Sequence, residues 1–211
     1  MIRIVIADDH AIVRAGLKRV VEEVPDLQVV GEAADGTEVM QRVRELDFDV
    51  LVLDLSMPGR SGMELIKLVK SERPRLRVLV LSMHQESQYA VRAIKSGASG
   101  YLSKDSAPEQ LEQALRKIAA GGAYLSAEVA EQLALGAMPH SEAAPHAALS
   151  DREFQVFRML VAGTSVTEIA SELHLSVKTV STHKAKLMQK LGVHNQSDLV
   201  RYAIKHGLAE A

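Results

Sequence analysis

Short aliphatic runs punctuate the first half of the chain: Ile4-Val5-Ile6-Ala7, Val29-Val30-Gly31, Val50 to Leu53, Val78 to Leu81 and Tyr101-Leu102. Their apolar residues are consecutive, as befits strands buried on both faces of a sheet. Between them lie stretches with apolar residues at i, i+3 and i+4, such as Ile12 to Val24, Met63 to Val69 and Leu111 to Ile118. The last of these follows Ala107-Pro108, and proline suits a first helical turn. Five strands alternating with five helices predict a doubly wound α/β domain around a five-stranded parallel sheet. Gly121-Gly122 closes its last helix, so this domain is expected over residues 1–121.

Ser126 to Leu135 reads as one further helix. "GAMPHSEAAPHAA", residues 136–148, has no apolar periodicity, and residues 122–148 are expected to comprise that helix and a flexible linker. From 149 to 211 only helical patterns occur, which predicts a small all-α domain of four helices. The first has Ser150 as N-cap, Glu153 completing a capping box and Gly163 as its stop. The others run from about Val166 to Leu173, from Val177 to Leu191 ending at Gly192, and from Ser197 to His206.

Polar side chains of different kinds close four of the aliphatic runs. The first leads into Asp8-Asp9, the third into Asp54, the fourth into Ser82, and the fifth into Ser103 and Lys104. An ionised aspartate directly after a buried strand is costly unless something pairs with it. Open parallel sheets gather ligands at the carboxyl ends of their strands, so these distant residues are expected to converge on one shallow cleft. Three clustered carboxylates call for a hard divalent cation, and Mg²⁺ with oxygen ligands fits. Such an ion neutralises an incoming phosphate and lets an aspartate attack phosphorus. Lys104 adds a point charge for phosphoryl oxygens, and Ser82 a hydroxyl donor. Taken singly, each of these residues reads as a helix cap, a turn residue or a solvated charge. Their shared order at successive strand ends favours the site.

Composition narrows the field of functions. There is no cysteine, which excludes disulfides, thiol catalysis and Cys-ligated metals and suits a reducing cytoplasm. No run approaches the length of a membrane span, and "MIRIVIADDH" enters a strand without a signal-peptide pattern, so a cytoplasmic protein without membrane association is expected. Residues 150–211 hold 8 Lys and Arg against 6 Asp and Glu, while the remainder is acidic. The asymmetry points weakly to a C-terminal half that faces nucleic acid.

The stretches "ADDH", "LDLSMPGRSG", "LSMH" and "GYLSKD" match, in order and spacing, the receiver domain of two-component response regulators. The resemblance implies a flavodoxin-like fold and phosphoryl transfer from a sensor histidine kinase to Asp54. It implies Mg²⁺ held by Asp8, Asp9, Asp54 and the backbone carbonyl of Ser56, with Ser82 and Lys104 on the phosphoryl oxygens. Tyr101 falls at the family's aromatic switch position. Asp105 departs from the family, many of whose members carry proline there. Ser56 and His84 flank the site, where they would tune phosphate lifetime.

"LSDRE" and "LVAGTSVTEIASELHLSVKTVSTHKAKLMQKLGV" resemble a LuxR-type helix-turn-helix of the NarL/FixJ branch. In the helix from Val177 to Leu191, spacing puts Val177, Val180, Leu187 and Leu191 on one apolar stripe, with Lys178, Ser181, Thr182, Ala185 and Gln189 mostly opposite. Small and hydrogen-bonding side chains there suit entry into the major groove. Ser181, Thr182 and Lys184 are expected nearest the base edges, and Lys178, Thr179, Lys184 and Lys186 at phosphates. The last helix, with Leu199, Ala203 and Ile204, is either core or, as in the family, a dimer seam on inverted half-sites.

The resulting expectation is a phosphorylation-switched transcription regulator rather than an enzyme. It would act as a homodimer on double-stranded promoter DNA, with RNA polymerase as a further partner. Two alternatives remain open at this level. One is a phosphate-independent DNA-binding protein that uses its receiver only as a dimer module. The other is an aspartate-nucleophile phosphatase of the haloacid dehalogenase type. Those enzymes need a second aspartate two residues after the nucleophile, where this chain has Ser56.

Overall fold

In a computed structural model, which describes residues 1–57, 62–82, 87–106, 108–136 and 144–209, the chain divides into two compact units, Met1–Leu133 and Ala134–Ala211. The first unit alternates β1 (Ile2–Ala7), α1 (Ala11–Glu22), β2 (Leu27–Ala33), α2 (Gly36–Glu45), β3 (Val50–Asp54), α3 (Gly62–Glu72), β4 (Arg77–Ser82), α4 (Ser87–Lys95), β5 (Gly100–Ser103) and α5 (Pro108–Ala119), and α6 (Ala127–Gly136) follows. The five strands are all parallel in the order β2-β1-β3-β4-β5. Strand order reverses between β1 and β3, and the crevice at that point is where such sheets bind ligands.

The consecutive apolar runs are explained by burial on both faces of the sheet. Ile4, Ile6, Val50, Val52, Leu79 and Leu81 join Leu111, Ala114, Leu115 and Ile118 of α5 and Val21 of α1 in one core cluster. By the period of two, Val5, Leu51, Leu53, Val78 and Val80 fall to the other face, and all are fully buried. Each such side chain contributes roughly 1.5–3 kcal/mol by leaving water. The unit does not end at Gly121. Tyr124 forms an isolated parallel bridge to Gly100, and its carbonyl accepts from the Tyr101 N–H at 3.0 Å. Open backbone groups on the β5 edge need such partners, a tertiary demand that the glycine pair does not advertise.

The second unit packs α7 (Asp151–Val161), α8 (Val166–Glu172), α9 (Val177–Leu191) and α10 (Gln196–Lys205) around Phe154, Phe157, Leu160, Ile169, Val180, Leu187 and Leu199. The capping box on α7 is formed: Ser150 Oγ accepts from the Glu153 N–H, and the Glu153 carboxylate accepts from the Ser150 N–H. Ser165 and Glu168 repeat the device on α8. Gly192 ends α9 in the left-handed region, with φ of 66°, where a side chain would be strained.

The flexible linker read from the sequence stops short of residue 148. Pro145–Ala148 is a 3₁₀ turn that carries a buried His146. The His146 N–H donates to the Tyr202 hydroxyl at 3.2 Å, and the imidazole Nδ1 stands 3.0 Å from the same oxygen. Contact with α10, not local periodicity, orders this turn. Residues 137–143 of the expected linker lie outside the described residues.

The same turn is tied to α9 through Lys190, which donates to the Ala148 carbonyl at 3.1 Å and pairs with Glu153 Oε2 at 2.6 Å. Burial works to raise the Glu153 pKa, but Lys190 and Ser150 outweigh it and hold the group below the ordinary glutamate value. A depressed carboxylate stabilises the fold above its unfolded pKa, and the contribution is lost as pH falls through the folded value. Lys190→Met is therefore expected to cost the helical unit about 1–3 kcal/mol at neutral pH by stranding a buried carboxylate. In thermal melts the deficit shrinks below about pH 4, as Glu153 protonates in both proteins. A deficit that persists in acid would assign the loss to packing instead.

Candidate functional site

Strand register builds the pocket. Ala7 pairs with Leu53, so Asp8 and Asp54 leave the sheet side by side at the strand-order reversal. Asp54 lies opposite Leu81 of β4, which sets Ser82 one position beyond it. Ser82 in turn lies opposite Ser103 of β5, and the next backbone N–H, that of Lys104, donates to the Ser82 carbonyl at 2.9 Å. Asp8, Asp54, Ser82 and Lys104, from four strand ends, thus reach one crevice with no contribution from local sequence proximity.

Asp8, Asp54 and Ser82 are each at most 1% exposed. Lys104 Nζ stands 2.5 Å from Asp8 Oδ2 and 2.9 Å from Asp54 Oδ2. It answers the question of the orphaned strand-end charge by serving as the counter-ion of both carboxylates. Burial pushes the Asp54 carboxyl above its usual range, and the ion pair with Lys104 and the Ser56 N–H pull against it without winning. For Lys104, burial opposes the charge, but the hydrogen bond to Asp8 and the ion pairs with Asp8 and Asp54 overcome it and hold the ammonium above the ordinary lysine value. Lys104 is therefore a fixed positive charge at neutral pH.

Asp54 Oδ1 accepts from the Ser56 N–H at 3.1 Å. Asp54 Oδ2 is fully buried and, although close to Lys104, has no hydrogen bond aligned on it. A buried, ionised oxygen with spare lone pairs is a ready ligand for a cation. Asp8, Asp9, His10 and Asp54 each present a donor atom, all within 4.8 Å of one another. Asp9 stands at the rim with its side chain 30% exposed. Ser56 is exposed, and Tyr101 is half-buried within β5. His84 lies outside the described residues.

The exposed side of α9 is a second surface. Lys178, Ser181, Thr182, Ala185, Lys186 and Gln189 are exposed, whereas Val180, Leu187 and Leu191 are buried. One expectation needs correction. Val177 is not part of the buried stripe but is 48% exposed, because as the first helical residue it precedes the turn that packs. Thr179 is half-buried and its hydroxyl lies 2.8 Å from Ser176 Oγ in the N-cap, so its hydrogen bonding serves the helix start. Lys184 is half-buried beside the packed stripe, on the flank of the exposed face.

Comparison with known proteins finds a family for each unit. The response regulator receiver domain family matches residues 4–116, and the bacterial regulatory proteins of the luxR family match residues 147–203. Response regulator UvrY of Escherichia coli (strain K12) is 36% identical over 212 residues, covering 100% of this chain and 97% of UvrY. Response regulator GacA of Pseudomonas aeruginosa is 35% identical, over 100% of this chain and 99% of GacA. This chain is a LuxR-type response regulator. A solved structure of RcsB from Salmonella enterica serovar Typhimurium, bound to promoter rprA in the presence of the phosphomimetic BeF3⁻, is 34% identical. It covers 96% of this chain and 98% of RcsB at a TM-score of 0.67. Another RcsB structure, from Salmonella typhimurium, covers 99% of this chain at a TM-score of 0.72.

The response regulator's pocket also contains residues that sequence reasoning passed over. His10 places Nδ1 2.9 Å from Asp9 Oδ1, and its backbone N–H donates to Asp8 Oδ1 at 2.8 Å. Arg14 Nη1 donates to the Asp8 carbonyl at 2.7 Å and so ties α1 to the acidic loop. His10 stood visibly beside the acid pair in "ADDH", whereas Arg14 reads in sequence as an ordinary helix charge. Gly62 pins the far side of the pocket, since a Cβ there would lie 2.8 Å from Leu55 Cα, directly after Asp54. Among the described residues no helix is long and apolar enough to cross a membrane.

Proposed function

We propose that Asp54 of this response regulator accepts a phosphoryl group from the phosphohistidine of a sensor histidine kinase, and that its phosphorylation switches promoter binding. A carboxylate oxygen of Asp54 attacks phosphorus as the P–N bond breaks, and the bonding pair leaves with the imidazole of the donor. The observation that supports this best is the buried trio of Asp8, Asp54 and Lys104. Its single ammonium faces two carboxylates, and a phosphoryl group brings further negative charge to it. Lys104 would then follow the phosphoryl oxygens, with the Ser82 hydroxyl as a second donor beside them.

The donor set suits Mg²⁺: carboxylates of Asp8, Asp9 and Asp54 and the backbone carbonyl of Ser56 are hard oxygen ligands, and Asp54 Oδ2 is buried without a hydrogen bond. Bound there, the ion would supply charge neutralisation for the acids and for the arriving phosphate. Rearrangement of Ser82 around the phosphoryl group would be passed to Tyr101. The phosphorylated state would favour a homodimer, with exposed Ile204 of α10 available at a seam and α9 laid in the major groove of inverted half-sites. The protein would act in the cytoplasm, as a phosphoacceptor that sheds its phosphate slowly rather than as a turnover enzyme.

Footprinting on promoter DNA, with and without acetyl phosphate and Mg²⁺, tests this reading. Protection is expected to strengthen at least tenfold on phosphorylation, with half-sites about one helical turn apart, and Asp54→Asn should show only the basal footprint. Equal protection by wild type and Asp54→Asn under all conditions would favour a phosphate-independent DNA-binding protein.

A further inference from the structure

The exposed face of α9 has an unusual chemistry for a helix that reads DNA. Residues 177–186, "VKTVSTHKAK", contain no Arg, Asn, Gln, Asp or Glu. Apart from Lys, which also pairs with guanine, those are the side chains that recognise guanine, adenine or cytosine by paired or directional hydrogen bonds in the major groove. What the first three turns expose instead is Val177, Lys178, Ser181, Thr182, Ala185 and Lys186. At 3.6 residues per turn, Val177, Ser181 and Ala185 lie above one another, with Thr182 alongside.

Thr182 has already spent its best polar function. Its hydroxyl donates to the Lys178 carbonyl at 2.9 Å, which leaves the methyl group as the outward part of the side chain. Val177 offers two more methyls, at the helix start where residues of a recognition helix meet base edges, and it is 48% exposed. Ala185 adds a fourth. An isolated exposed valine needs no explanation. Here, though, the apolar groups are gathered on the face that lysines flank and that the proposed function lays in the major groove. The major-groove feature with matching chemistry is the C5-methyl of thymine.

We propose that Val177, together with Thr182 and Ala185, is a specificity-determining residue that reads thymine methyl groups. The half-site is thereby selected by apolar contact, while Lys178 and Lys186 supply affinity at phosphates or guanine. The inference rests on α9 being the DNA-facing helix.

The test uses the full-length protein with acetyl phosphate and Mg²⁺ on a duplex selected from a random pool. Each thymine is replaced in turn by deoxyuracil, which deletes only the methyl. At least one position per half-site is expected to lose about three- to fivefold in affinity, the worth of one buried methyl. Val177→Ala should weaken binding to the thymine duplex by a similar factor and should abolish the sensitivity at its own position. Val177→Thr, which keeps one γ-methyl, should retain part of it. A flat deoxyuracil scan on wild type, which needs no variant to fold, would overturn methyl reading. If Lys178→Ala still lowers affinity in that case, α9 remains the DNA helix and only the specificity claim falls. If Lys178→Ala and Val177→Ala both bind like wild type, the assignment of α9 falls as well.

Discussion

Lys104→Met is expected to destabilise the first unit by about 3–5 kcal/mol in metal-free buffer at neutral pH. The lysine is the counter-ion of two carboxylates that are each at most 1% exposed, and methionine fills its volume without its charge. Asp8 and Asp54 would then repel each other in a medium that screens poorly. Two rescues separate this account from a simple packing loss. Millimolar Mg²⁺ should restore most of the melting temperature, because a cation bound only by the native state stabilises by mass action. Acidification should restore it too, since protonation removes both charges. A variant that melts like wild type without metal would show that the ion pairs carry little of the fold.

Asp54→Asn is expected to produce the opposite sign in stability together with complete loss of phosphoryl uptake. Burial holds the Asp54 carboxyl above its unfolded value despite Lys104. For an acid raised in the folded state, the cost of ionisation is fully present above the folded pKa and vanishes as pH falls below the unfolded one. The asparagine variant should therefore melt above wild type at neutral pH in metal-free buffer, and the two curves should meet near pH 4 or just below. Adding Mg²⁺ should reverse the order, because the variant has lost a carboxylate ligand. Wild type keeps the carboxylate at the expense of stability, a pattern expected of functional sites. An Asp54→Asn protein that melts below wild type in metal-free buffer would contradict the burial argument.

Much of this was legible in the sequence because the signals were of the right kind. Consecutive aliphatic residues such as Val50 to Leu53 are hard to place anywhere but in a strand buried on both faces, and the strand–helix alternation then dictates a parallel sheet. Capping residues such as Ser150 and Glu153 mark helix starts through local hydrogen bonds that the sequence alone specifies. Convergence of Asp8, Asp54, Ser82 and Lys104 followed from topology, since all stand at strand ends. What escaped depended on tertiary contact. The 3₁₀ turn at Pro145–Ala148 exists because His146 meets Tyr202 more than fifty residues away in sequence, and Arg14 matters only because α1 returns over the Asp8 loop. Val177 fits the helical period of the buried stripe, yet at the helix start it is left 48% exposed.

Asp54 is expected to take up phosphate through the charges gathered around it. Intact-protein mass spectrometry after incubation with acetyl phosphate reads this directly, followed by borohydride reduction to locate the acyl phosphate in the sequence. With Mg²⁺, wild type should gain one phosphoryl group and the reduced residue should map to Asp54, whereas EDTA or Asp54→Asn should abolish the gain. Undiminished labelling of Asp54→Asn, or uptake by wild type that is indifferent to divalent cations, would contradict it.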